Sequence, residues 1–194
     1  MKVKKALFLI FDQYAEFEVN LAAMFLKSNG YTVETFTVEN EKRPIIGEAS
    51  FHTYPDLTLR DIEGAEDYDI LITPGGNIFP ILENERLLSL VREFHDNGKF
   101  VAGICAGTSL PSKAGILTGK QFSTSLEEKE DEHKNLHDWP FLRQQDVTVN
   151  DKIITAQGNA YVEFATAILR EMGLFEEGEE EQTLDYFKNR KVIV

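Results

Sequence analysis

Cysteine is nearly absent from this chain: Cys105 is the only one in 194 residues. A single thiol excludes an internal disulfide framework and a cysteine-built zinc cluster. Long apolar runs are missing too, and none approaches the ~20 residues of a membrane span. Positive charge is scarce, with 20 Lys and Arg against 33 Asp and Glu, for a net charge of −13. So acidic a chain repels phosphate backbones, which argues against nucleic acid as a partner. There is no internal repeat and no interdomain linker. The opening stretch is basic and then apolar, as a secretory signal would be. Its apolar run stops at Asp12, however, and no small-residue cleavage site precedes the acids. It reads as a first β-strand, and the expected setting is a reducing cytoplasm.

What is present is an alternation of apolar runs and amphipathic stretches. The length suits one domain over residues 1–194, with an acidic tail over 175–194. Ala6 to Phe11 is continuously apolar, as a strand covered on both faces is. Glu16 to Ser28 has helical periodicity and stops at Asn29-Gly30. Tyr31 to Val38 alternates and is β-branched, which predicts a second strand. Glu39 to Asp67 is irregular and predicts short strands or a hairpin. Asp69 to Thr73 and Lys99 to Ile104 predict buried strands, with a helix over Asn84 to Asp96 between them. Gln145 to Val149 and Lys152 to Thr155 flank an Asn150-Asp151 hairpin turn. Asn159 to Met172 predicts the last long helix. This βαβ order favours a mostly parallel sheet sandwiched between helices.

Gly103-Ile104-Cys105-Ala106-Gly107 has the form G-x-C-x-G between a strand and a helix. That is the setting of a nucleophile elbow. A sharp strand-to-helix turn strains the central residue and lifts its side chain above the sheet edge. Small neighbours let the turn close. A lone cysteine is more often a small buried hydrophobe, but this context predicts a reactive thiol, with its pKa lowered by the helix N-terminus. Pro74-Gly75-Gly76 ends another buried strand, where ligands bind in open α/β sheets. The amides of Gly75, Gly76 and Ala106 are the expected oxyanion hole. Glu16 and Glu18 start the first helix. Two residues apart they point in different directions, so only one can reach the cysteine. His133 and His137 are four apart and would share a face on a helix. Two imidazoles without further ligands make a poor metal site, and the acidic run Glu127 to Glu132 beside them reads as a solvated insert. No metal and no organic cofactor are expected, since the Gly-rich turns match neither a dinucleotide nor a P-loop pattern.

Phe11 to Glu18, Ile72 to Gly76, Gly103 to Thr108 and Ile153 to Gly158 together resemble the ThiJ/PfpI family. This is the family of the Parkinsonism-associated deglycase, within the class I glutamine-amidotransferase-like superfamily. The resemblance runs in order from about residue 3 to residue 174. It implies a flavodoxin-like three-layer fold, Cys105 as the reactive residue and Glu18 as its carboxyl neighbour. It also implies a homodimer and a small carbonyl or amide substrate. An alternative role is redox sensing or chaperone activity through oxidation of Cys105. The chain departs from the family where relatives carry histidine. Ala106 follows the cysteine, Ser123 to Ser125 hold hydroxyls, and Ala160 to Glu163 lack an imidazole. No complete Cys-His-Glu triad is evident.

Overall fold

Seven strands form one open sheet in the order β5-β2-β1-β6-β7-β9-β8, and a separate hairpin, β3-β4, stands beside it. The computed structural model describes residues 3–131 and 133–188. In the sheet, β1 (Lys5–Leu9), β2 (Thr32–Thr37), β5 (Leu57–Thr58), β6 (Ile70–Thr73), β7 (Phe100–Ile104) and β9 (Ile153–Ala156) run parallel, while β8 (Val147–Asn150) pairs antiparallel with β9. β6 and β9 are buried at every position, as apolar strands covered on both faces should be. The irregular second segment resolves into β3 (Ile45–Ile46), β4 (His52–Thr53) and the edge strand β5.

The helices are α1 (Phe17–Ser28), α2 (Glu85–Asp96), α3 (Ser109–Lys113), α4 (Tyr161–Glu171) and α5 (Glu179–Phe187). The chain steps from β1 to β2 in one direction and from β6 to β7 in the other. Right-handed crossovers therefore place α1 and α2 on opposite faces. α4 packs on α1, and α5 on α4. The reversal between β1 and β6 is the topological switch point of the sheet, and its crevice lies at their carboxyl ends.

Two segments differ from the sequence expectation. The acidic tail contains helix α5, tied down by Arg170 to Glu180, by Lys188 to Glu163 and by Phe187 edge-on to Phe25; residues 189–194 lie outside the described residues. The described residues of the insert before Trp139 form no helix. Glu127 to Asp131 are exposed as expected, and Glu132 lies outside the described residues. His133 and His137 are nevertheless buried, at 6% and 8% exposure. His133 stacks on Phe79, and His137 stacks on Phe122. Aromatic partners from distant segments overrode the polar character of the insert. No helix among the described residues is long and apolar enough to cross a membrane.

His137 sets a pH dependence. Its Nδ1 pairs with Ser112 Oγ at 2.6 Å, while its Nε2 is buried with no hydrogen-bond partner among the described residues. Burial, then the neighbouring His133, push its pKa down to about 4. The unfolded chain, titrating near 6.5, binds a proton that the fold refuses, so stability falls as pH drops from about 6.5 towards 4. The loss attributable to this residue approaches about 3 kcal/mol. The stability of His137→Leu relative to the native chain, read from urea midpoints, should rise between pH 7 and pH 5. A difference that does not change with pH would contradict this assignment.

Candidate active site

Cys105 directly follows β7 and adopts φ +56, a left-handed conformation that is strained for a residue with a side chain. Backbone contact leaves little alternative. A Cβ on Gly107 would lie 2.4 Å from both Thr73 O and Pro74 O. The Thr73 hydroxyl donates to Gly107 O at 3.1 Å. Thr108 and Thr124 hydroxyls donate to Cys105 O at 2.8 and 2.9 Å. The elbow is thus clamped from β6, from the following turn and from the segment before the insert.

Glu16 and Glu18 separate as their spacing requires. Both are buried, at 5% and 2% exposure. The Glu16 carboxylate turns to the β3-β4 hairpin, accepts from Ala49 N at 3.1 Å and packs on Gly47. Glu18 turns to the elbow. Its Oε2 accepts from Gly75 N at 2.6 Å, and its carboxyl hydrogen-bonds the Cys105 thiol. Gly75 must be glycine here, because its Cβ would meet Cys105 Cβ and Glu18 Oε2 at 2.7 Å.

The expected oxyanion donors are not equivalent. Ala106 N–H points at the Cys105 sulfur. Gly75 N–H is occupied by Glu18. Gly76, at φ +93, turns the loop against residues 13–15, and its neighbour Asn77 donates its backbone N–H to Gln13 O at 3.0 Å. Gly76 shapes the loop.

Two further residues stand in the site without a sequence signal strong enough to single them out. The Ser125 hydroxyl hydrogen-bonds the Cys105 sulfur, and it also accepts from Gly158 N at 2.7 Å. A Cβ on Gly158 would lie 3.0 Å from the sulfur and 2.7 Å from Glu18 Oε1. A glycine two residues after β9, at the same sheet edge as the elbow, was the available clue for Gly158. Ser125 stands in the hydroxyl-bearing stretch where relatives carry histidine. His133 and His137 engage Phe79, Phe122 and Ser112 instead of the sulfur.

The electrostatics correct one expectation. The thiol is only partly exposed, and burial, then the Glu18 charge, push its pKa up to about 11. Ser125 and Ala106 oppose that shift. Burial also pushes Glu18 up to about 7, against the Gly75 and Cys105 hydrogen bonds. The predicted lowering by a helix N-terminus fails because the elbow leads into a four-residue 3-10 turn and then the five-residue α3. Such short pieces sum little dipole, and desolvation wins. Glu18 releases its proton first. Above about pH 7 the pair holds one proton between carboxylate and sulfur.

A partly buried cysteine on a strained elbow, paired with a carboxyl from the first helix, defines an α/β protein of the elbow-cysteine type. The DJ-1/PfpI family profile matches residues 4–171, and the chain belongs to that family. Deglycase PH1704 of Pyrococcus horikoshii is 31% identical over 118 residues, covering 60% of this chain and 69% of that protein. An uncharacterized protease, YdeA, of Bacillus subtilis is 27% identical over 169 residues, covering 86% and 82%. The crystal structure of the DJ-1 superfamily protein Atu0886 from Agrobacterium tumefaciens superposes with a TM-score of 0.83 at 24% identity, covering 97% of this chain and 100% of that one. That likeness establishes the fold.

Proposed function

We propose that this chain is a cysteine-dependent enzyme, hydrolase- or lyase-like, acting on a small carbonyl or amide substrate in the cytoplasm. The observation that carries the reading is the convergence of Glu18, Ser125 and the Ala106 amide on the sulfur of a strained Cys105. The thiol is not ionised in advance, so ionisation and attack are coupled. As the sulfur bonds to the carbonyl carbon, its proton passes to the Glu18 carboxylate. The carbonyl π pair moves to oxygen, which the Ala106 N–H holds, with Gly75 N–H shared between Glu18 and the oxyanion. Glu18 then returns the proton to the oxyanion or to the leaving group. One carboxyl near pH 7 serves both directions, which is the useful position for a proton shuttle.

The test is product release from a panel of amides, dicarbonyls and, given the deglycase names among the relatives, glycated amines. Cys105→Ser should abolish turnover, and equal turnover by both proteins would overturn the reading. Ser125→Ala should slow thiol alkylation at pH 8 roughly threefold to tenfold, since a hydrogen bond to the thiolate is lost. An unchanged rate would remove Ser125 from the site's chemistry. The homodimer implied by the resemblance is checked by light scattering.

The same donors suit a second role. Two equivalents of peroxide would each pass one oxygen to the sulfur, releasing water and leaving a sulfinate held by protonated Glu18 and Ser125. A stable gain of two oxygens at Cys105 by intact mass would favour redox sensing.

A further inference from the structure

A cleft of about 680 Å³ opens at the carboxyl ends of β1 and β6, lined by Asp12, Gln13, Gly47, Glu48, Ser50 and Asn77, with Ile46 at its edge. It occupies the topological switch point, where open α/β sheets bind ligands, and its size suits a small molecule. Cys105 follows β7, one strand further along, and is not among the lining residues.

Its walls are fastened from three segments. Gln13, at φ +65, donates its N–H to Ile46 O at 2.7 Å and accepts from Asn77 N at 3.0 Å. Glu48 N donates to Tyr14 O at 3.0 Å. A Cβ on Gly76 would strike Gln13 O at 2.1 Å, so the two loops meet in direct backbone contact. The side chains meet as well, with Asn77 Nδ2 donating to Gln13 Oε1 at 2.8 Å. That pairing leaves both Gln13 N–H donors, the second Asn77 N–H donor and the Asn77 carbonyl oxygen for a ligand.

The charge balance decides which ligand fits. Arg43 neutralises Asp12 through two contacts, at 3.1 and 2.7 Å. Glu48 has no cation partner among the described residues, and its charge reaches Glu18. The open groups therefore combine amide donors with acceptors, and the Glu48 carboxylate would repel an anion.

We propose that this cleft is a binding site for a small, non-anionic molecule bearing hydroxyl or amine groups that both accept and donate hydrogen bonds, recognised by the Gln13–Asn77 amide pair. The inference stands beside the proposed function rather than on it. Asn77 is nonetheless close in sequence to Gly75, whose amide holds Glu18, so an occupant would lie next to the reactive pair.

The test is titration of the ¹⁵N-labelled protein with ethanolamine and, separately, with propionate. Ethanolamine should shift the Gln13, Gly47, Ser50 and Asn77 amides saturably, in the millimolar range, and propionate should not. Gln13→Gly removes the amide while relaxing the positive φ, so folding is preserved. It should weaken ethanolamine binding roughly threefold to tenfold, and so should Asn77→Ala. Cys105→Ser should bind like the native chain, which keeps this result independent of the thiol chemistry. Absence of saturable shifts, equal binding of propionate, or full affinity in both cleft variants would overturn the proposal.

Discussion

Glu18→Gln is expected to raise the reactivity of the Cys105 thiol and to lower turnover, moving the two in opposite directions. Glutamine keeps the size of the side chain. Its carbonyl can still accept from Gly75 N–H, and its amide can donate to the sulfur. What disappears is the charge that, after burial, does most to hold the thiol at about 11. Alkylation by iodoacetamide at pH 8 should therefore accelerate roughly tenfold, the effect of about one pKa unit. Turnover should fall roughly 10²–10⁴-fold, because the proton no longer has an acceptor that can return it. Intact-mass alkylation kinetics over a pH series, set beside kcat/KM, would measure both. A parallel fall of both rates would mean that Glu18 only supports the architecture.

Gly107→Ala should cost about 3 kcal/mol of stability, because the new methyl would press on the carbonyl oxygens of Thr73 and Pro74. Thr73 ends β6, which is paired to β7 and buried, so the backbone has nowhere to retreat. A thermal midpoint lower by roughly 6–12 °C follows for a chain of this size. Gly115→Ala is the comparison. Gly115 has φ +83 but open space around it, so only its backbone conformation suffers, at about 1 kcal/mol. Equal midpoints for the two variants would show that the elbow is not closed by direct backbone contact.

The pH behaviour of the molecule combines two opposed groups. His137, held low, makes the fold less stable as pH falls from about 6.5 towards 4. Glu18, held high, makes the fold bind a proton more tightly than the unfolded chain does. It favours the fold fully below about 4.5 and progressively less as pH rises towards 7. The two slopes partly cancel between these limits. The single variants therefore expose contributions that the native chain conceals.

The elbow was legible because it is local. A buried strand, three small residues and a cysteine dictate the turn wherever that segment sits. The choice of Glu18 over Glu16 followed from the resemblance. The physical reason is visible only in the fold, where Gly47 and Ala49 claim Glu16 while Gly75 and Cys105 claim Glu18. Ser125 and Gly158 reach the sulfur from segments distant in the chain, and nothing local to either segment shows that it does. The buried histidines misled for a related reason. The polarity of residues 127–138 describes their own solvation, whereas Phe79 and Phe122, which cover the two imidazoles, belong to other segments.

The amino-acid order by itself determined the layered α/β plan, the position of the thiol and the strained turn that presents it, because periodicity and local sterics act over a few residues. The tertiary structure alone decided how readily that thiol ionises and which groups surround it. Desolvation and through-space charge depend on atoms brought together from α1, β6, β9 and the insert, and here they outweighed the weak dipole of a short helix.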